Sequence, residues 1–219
     1  MKYTLLILSL LLFSSEVARA ETAELLTPGK FHGDEVNIEP GEKWWCVLKE
    51  GGQFLLRQEK LLLTREFDAV MDTDKSNPTG IRISLANGEG VFMLKGVPNL
   101  SPGRLQSIPF SDESRWITPK SPIKFQLDGG KTYEIRLSTD GALVVICDKR
   151  YQKLLSYPTD YPVIFLIWAG DLDRDDKLDL VVTYSSENGG QRETTLFLSK
   201  GSTQKELMRK VAKFSKSGC

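Results

Sequence analysis

Short apolar runs separated by turn residues recur along most of this chain. Such runs, rich in β-branched and aromatic residues, are typical of strands, and the pairs Gly51-Gly52, Asn87-Gly88 and Asp140-Gly141 lie between runs as hairpin turns do. The runs predicted as strands are 44–48, 53–64, 81–85, 90–94, 123–127, 133–138, 142–148, 163–168, 178–185 and 194–199.

Strands at this spacing, without long helical patterns between them, predict a mainly β fold with antiparallel sheets in a sandwich or barrel-like arrangement. Residues 21–43 form a polar lead-in with at most one short strand, and 44–98 form an N-terminal β region. A Pro- and Ser-rich connection at 99–122 precedes a C-terminal β region at 123–219. Near the end, 203–206 fits a helix capping box, and the residues after it fit either one short helix or a last strand.

The first twenty residues resemble a secretory signal peptide, with Lys2, an apolar run at 5–13, and small residues Ala18 and Ala20 before a cleavage point. This apolar run is well short of the roughly twenty residues that a membrane-spanning helix needs. We therefore expect an exported, soluble protein, periplasmic or extracellular. Without the signal peptide the chain is close to neutral, which argues against a nucleic-acid binder.

Three cysteines follow the predicted signal peptide, and an oxidising compartment favours one disulfide among them. Cys147 ends the apolar run 142–146, where a thiol behaves as a small core residue. The pattern therefore favours a disulfide between Cys46 and Cys219.

An acidic loop, GDLDRDDKLDLVV at 170–182, carries the clearest chemical signal in the chain. Its aspartates at loop positions one, three, five and nine are Asp171, Asp173, Asp175 and Asp179, and Lys177 stands at position seven. In calcium loops such odd positions point inward, and position seven contributes its backbone carbonyl. Two like charges about 4 Å apart repel by about 1 kcal/mol in water and about 4 kcal/mol at an effective dielectric of about 20, so a divalent cation would relieve this loop.

An EF-hand needs a bidentate Glu at position twelve, where this loop has Val182. The pattern DxDxDxxxD followed by an apolar strand instead resembles the calcium loop of FG-GAP and VCBS-type repeats, over about residues 163–199. The resemblance implies a Ca²⁺ site, in a C-terminal hairpin, whose ligands are Asp171, Asp173, Asp175, Lys177 and Asp179. Asp176 stands where the family usually has Gly. The alternative interpretation is a solvated acidic turn between two strands.

A second acidic group comprises Asp68, Asp72 and Asp74. It is interpreted as a solvated loop, with a glycosidase-like carboxylate pair or a second metal loop as the alternatives, although a metal loop would lack an acid at position nine, which is Gly80. His32, the only histidine, is expected to be an isolated surface residue, and the four tryptophans are expected to fill cores or hairpins, with a sugar-binding face as the alternative.

These features predict a non-enzymatic exported protein, since one histidine and no recognisable nucleophile motif argue against catalysis. Calcium is expected to be structural, and the protein to act as a binding or interaction module with a protein or glycan partner. The alternative function is a secreted hydrolase that uses the acidic residues near Asp68 to Asp74.

Overall fold

The structure is a computed structural model of the 219-residue chain, and it describes residues 23–39, 41–108, 115–128, 130–156, 163–186, 190–199, 202 and 206–217. The predicted signal peptide at 1–20 lies outside the described residues, as does Cys219. Within the described ranges there is no helix long and apolar enough to span a bilayer.

The described residues form strands and no helix, which confirms the predicted mainly β fold. The strands are β1 (Glu24–Leu26), β2 (Gly29–Phe31), β3 (Lys43–Glu50), β4 (Gln53–Glu66), β5 (Gly80–Leu85), β6 (Glu89–Lys95), β7 (Gly103–Ser107), β8 (Trp116–Ile117), β9 (Ile123–Gln126), β10 (Thr132–Leu137), β11 (Ala142–Cys147), β12 (Arg150–Ser156), β13 (Val163–Asp171), β14 (Asp179–Ser185), β15 (Gln191–Leu198) and β16 (Arg209–Ser217).

Twelve of these strands form one antiparallel sheet, whose main path runs β1-β6-β3-β4-β7-β13-β14-β15-β16. The other three members attach at its sides, β5 to β4, β2 to β5, and β8 to β13. Since β1 also lies beside β16, the sheet is a nearly closed, barrel-like structure. It contains strands from both sides of the Pro- and Ser-rich connection at 99–122.

The remaining four strands form a second antiparallel sheet in the order β12-β11-β10-β9. Its apolar face, which includes Ile135 and Val145, packs on the outer face of β13, β14 and β15. Cys147 is 3% exposed within this core, which confirms its prediction as a core residue.

Two further cores complete the packing. One fills the barrel-like sheet and includes Val47, Phe92, Trp168 and Leu196. The other lies against β3 and β6, where the second half of the long β4, together with β5 and β2, covers Trp44 and its neighbours. Each core draws on residues distant in sequence, so the fold depends on long-range packing.

The central strands β13 and β14 are buried on both faces. In β14, Leu180 and Val182 face the second sheet whereas Val181 faces the barrel interior. A strand buried on both sides reads as a continuous apolar run, which explains the sequence LVV after the acidic loop. In β13 a bulge between Leu166 and Trp168 breaks the alternation.

All ten strands predicted from the sequence are present, with small differences at their ends. The expectation of at most one strand in the lead-in was wrong, because β1 and β2 both form there. The sequence also failed to predict β7, β8 and β12. At the tail, residues 203–205 lie outside the described residues, but Arg209–Ser217 is strand β16, so the strand alternative is confirmed there.

The predicted disulfide receives no support from the described residues. Cys46 is a fully buried free thiol in the core against β3, and burial raises its pKa to about 12. With Cys219 outside the described residues, the pairing stays a prediction.

Gly170, the first residue of the acidic loop, lies where β7 pairs with β13. A Cβ atom at this position would overlap the carbonyl oxygen of Gln106 and lie 2.6 Å from Cζ2 of Trp168. Gly170→Ala should therefore destabilise the protein by about 1–3 kcal/mol, the usual cost of overpacking. Urea unfolding measures the change, with Gly190→Ala as the matched control because nothing lies within 4 Å of its Cβ position. Equal stability of the two variants would contradict this account of Gly170.

Candidate metal centre

The acidic loop connects β13 to β14 and begins and ends on buried strand residues. Asp171 is the last residue of β13 and Asp179 is the first of β14. The antiparallel ladder places Gly170 opposite Asp179, so both ends of the loop are fixed by the sheet. The predicted hairpin is therefore present at this position.

Three of the predicted ligands converge. Asp171, Asp173 and Asp179 each offer a carboxylate oxygen, and these oxygens lie within 4.8 Å of one another. All three residues are buried, with exposed fractions of 4%, 7% and 0%. Asp171 and Asp173 are not solvated, which contradicts the interpretation of this loop as a plain solvated turn.

Asp179 is the most deeply placed of the three carboxylates. Its Oδ2 accepts a hydrogen bond from the Leu172 N–H at 2.8 Å, and its Oδ1 accepts one from the Ser199 N–H at 2.8 Å. Burial raises the pKa of Asp179 well above its usual range, and the charge of Asp173 raises it further, while these two N–H donors lower it. The side chain thus ties the loop to the end of β15 through Ser199.

Asp171 organises the turn itself. Its Oδ1 and Oδ2 accept hydrogen bonds from the N–H groups of Asp175 and Asp176, both at 3.0 Å. Burial raises the pKa of the Asp171 carboxyl, while these backbone donors lower it. Each oxygen keeps lone-pair capacity beyond one hydrogen bond, so this arrangement is compatible with metal coordination.

Asp175, a fourth predicted carboxylate ligand, lies outside the group of three. Lys177 Nζ contacts Asp175 Oδ2 at 2.9 Å, so the Lys177 ammonium forms an ion pair within the loop. Asp175 Oδ1 accepts hydrogen bonds from the Lys177 N–H and the Ser199 hydroxyl. Ser199 was not predicted to have a role here. The sequence feature that could have indicated this role is the position of Ser199 directly after β15, the strand that returns to the loop.

Asp176 has a φ of 59°, in the left-handed region that the resemblance implies for a position usually held by Gly. Arg174 has a φ of 60° as well, and its guanidinium contacts the Ser101 hydroxyl and the Pro102 carbonyl oxygen. The loop backbone is therefore tightly curled and joined to the segment before β7.

The donor set consists of oxygen atoms only. Zinc favours nitrogen and sulfur ligands, whereas calcium binds six to eight oxygens at about 2.3–2.6 Å. Two oxygens on opposite sides of such an ion are about 5 Å apart, so three oxygens within 4.8 Å of one another are close enough to bind one ion. Three buried carboxylates within 4.8 Å of one another are costly unless a cation compensates their charge.

The second acidic group does not form a comparable cluster. Asp68 pairs with the Nδ1 of His32, and both residues are buried, so the expectations of a solvated Asp68 and a surface His32 were wrong. Asp72 accepts hydrogen bonds from Thr79, and Asp74 is exposed and bonds Ser76.

The tryptophans are divided between core and surface. Trp44 and Trp168 are buried, as the core interpretation predicted. Trp45 is partly buried, whereas Trp116 is 49% exposed and packs on Phe165 with ring centroids 4.2 Å apart. The four rings do not form one sugar-binding face.

Comparison with protein-family models, curated proteins and solved structures gives no match for this chain. The resemblance of the acidic loop to FG-GAP and VCBS-type repeats thus stays a prediction from its own residues.

The His32–Asp68 pair should make stability depend on pH. The hydrogen bond to Asp68 raises the pKa of His32, and the same bond lowers the pKa of Asp68. The His32 contribution is therefore complete below about pH 6.5 and is lost as pH rises through the raised value, whereas that of Asp68 is lost in acid.

We accordingly expect the wild type to lose stability between pH 6 and pH 9 by more than a His32→Gln variant does. Urea midpoints at the two pH values measure this difference. A His32→Gln variant with the same loss as the wild type would show that the pair does not titrate as described.

Proposed function

We propose that this is an exported calcium-binding β protein in which the cation stabilises the turn between β13 and β14 and the fold serves as a binding module. The observation that carries the proposal is the convergence of three buried aspartate oxygens within 4.8 Å, in a loop with the spacing of a calcium site. Export rests on the signal-like residues 1–20, and a protein or glycan partner remains part of the proposal.

A structural role for the metal follows from where its ligands sit. Asp171 ends one central strand, Asp179 begins the next, and both strands are shared by two cores. A cation held between them would offset the repulsion of buried carboxylates. It would also keep the two strands in register. Asp175, whose Oδ1 lies near Ser199, would complete the ligand set after a small adjustment of the loop.

The hydrolase alternative gains nothing from the second acidic group. Asp68 is held by His32 and by the N–H groups of Val70 and Met71, and Asp72 is held by Thr79. Carboxylates engaged in this way shape a turn. We therefore favour a non-enzymatic function.

Calcium should raise the melting temperature. Binding to the native state alone stabilises it by about 2.7 kcal/mol when calcium is a hundredfold above Kd, and extracellular calcium modules have Kd values of about 10⁻⁴–10⁻³ M. For a chain of this size that corresponds to an increase of about 5–10 °C. Magnesium should give a smaller increase, because it demands a tighter octahedral shell. Equal melting temperatures in 10 mM calcium and in chelator would refute the proposal.

Variants of two loop aspartates should separate ligand loss from charge loss. Asp173→Asn should abolish the response to calcium and, in chelator, melt no lower than the wild type, because one buried like charge is gone. Asp176→Gly is the matched control, since it also removes one negative charge from the loop but relieves the φ of 59°. It should keep the response. The measurement is thermal unfolding of the three proteins with calcium or chelator, and loss of the response in both variants would contradict this ligand assignment.

A further inference from the structure

The interior of the barrel-like sheet is filled at one end only. Near the acidic loop, Trp168, Leu172 and Val181 are at most 1% exposed. Toward the opposite end, the inward-facing Phe165 and Phe214 are only partly buried, and a cavity of about 400 Å³ opens between them. Its volume lies in the range of about 300–1,000 Å³ that small-molecule sites occupy.

The bulge in β13 explains why one end of the barrel interior is filled and the other is open. Leu166 faces the second sheet and Ala169 does so again, so the two residues between them, Ile167 and Trp168, both face inward. The Trp168 ring fills the interior next to Phe92, at a centroid distance of 5.7 Å. Ile167 lines the cavity on the other side. Trp168 thus separates the closed end of the barrel from the open one.

Among the described residues, the cavity wall is mainly apolar and carries one pair of buried hydroxyl groups. Phe54, Val91, Phe165, Ile167 and Phe214 provide the apolar surface. The Thr183 and Thr194 hydroxyls, in contact with each other at 2.8 Å, are the buried polar groups on this wall. A ligand with an apolar body would replace water against this surface, which is the main source of affinity in such sites.

The mouth of the cavity is positively charged. Among the residues that the structure describes, Lys49, Arg115, Arg192 and Lys216 line it, against one carboxylate, Glu89. Lys49 and Glu89 stand opposite each other in the β3–β6 ladder, so their charges offset one another, and cationic side chains outnumber carboxylates among the described lining residues. Arg192 and Lys216 are also opposite each other, in the β15–β16 ladder. Two neighbouring cations above an apolar cavity are complementary to a negatively charged head group.

We propose that this cavity binds an anionic amphiphile, a medium-chain carboxylate, with its chain against Phe165, Ile167 and Phe214 and its head group at Arg192 and Lys216. The site is independent of the proposed calcium loop, which lies at the other end of the same strands.

Calorimetric titration of the full chain with decanoate tests this proposal, with decanol as the neutral ligand of the same chain length. We expect saturable binding of decanoate and at least about tenfold weaker binding of decanol, since the cationic rim recognises only the charged head group. Absence of saturable decanoate binding up to its solubility limit, or equal binding of decanol, would overturn the proposal.

Two variants locate the site. Arg192→Glu should weaken decanoate binding by about tenfold or more, whereas the matched control Lys210→Glu, an equal charge change on the exposed face of β16 away from the cavity, should leave it unchanged. Ile167→Trp should block binding by filling the cavity. Melting curves of each variant show whether it folds, and if Ile167→Trp does not, Arg192→Glu against Lys210→Glu decides. Equal weakening by Arg192→Glu and Lys210→Glu would overturn the assignment of the head-group site.

An optical signal provides a further check. Trp116 packs against Phe165, whose ring lines the cavity, so decanoate should change tryptophan fluorescence. Trp116→Phe should remove most of that change while calorimetric binding persists. An unchanged fluorescence response in Trp116→Phe would contradict this placement of the chain.

Discussion

The double burial of β13 and β14 is the constraint on which the rest of the structure depends. Each strand must present one apolar face to the barrel interior and the other to the four-stranded sheet. A loop that joins two such strands begins and ends away from water, so Asp179 is fully buried although it is part of a highly acidic stretch. The chemistry of the acidic loop is therefore a consequence of the packing of the strands it connects, because the same carboxylates in an exposed hairpin would be solvated and have little reason to bind a cation.

The sequence predicted best where local signals and tertiary packing agree. Hairpin pairs such as Gly51-Gly52, both with positive φ, and strongly apolar runs identify ten strands. The prediction from sequence failed for strands that form only because they pair with a strand distant in the chain. Strands β7 and β8 are short and are held by β4 and β13, and β12 is a polar edge strand of the second sheet. Nothing within such segments distinguishes them from irregular connections.

In the candidate site, too, features set by local sequence were predicted and features set by distant residues were not. The odd spacing of the loop aspartates brought three of the predicted ligands together, because a curled chain places alternate residues on its inner side. The pairing of Asp175 with Lys177 and Ser199 was not predictable from spacing, since Ser199 comes from another strand. His32 was misinterpreted for a similar reason. Its polar neighbours suggested the surface, and its partner Asp68 lies 36 residues away.

The closure of the larger sheet has a consequence for how the chain folds. Strand β1 pairs with β6 and lies beside β16, and the Ser217 N–H donates to Glu35 Oε1, so the first and last described strands meet. Contacts between residues so far apart in sequence form slowly, because the chain loses conformational entropy on closing the loop before the contacts stabilise it. Until β16 pairs with it, β15 keeps an unpaired edge, which can recruit other chains. The fold is therefore open to edge-to-edge aggregation until its last described strand has joined the sheet.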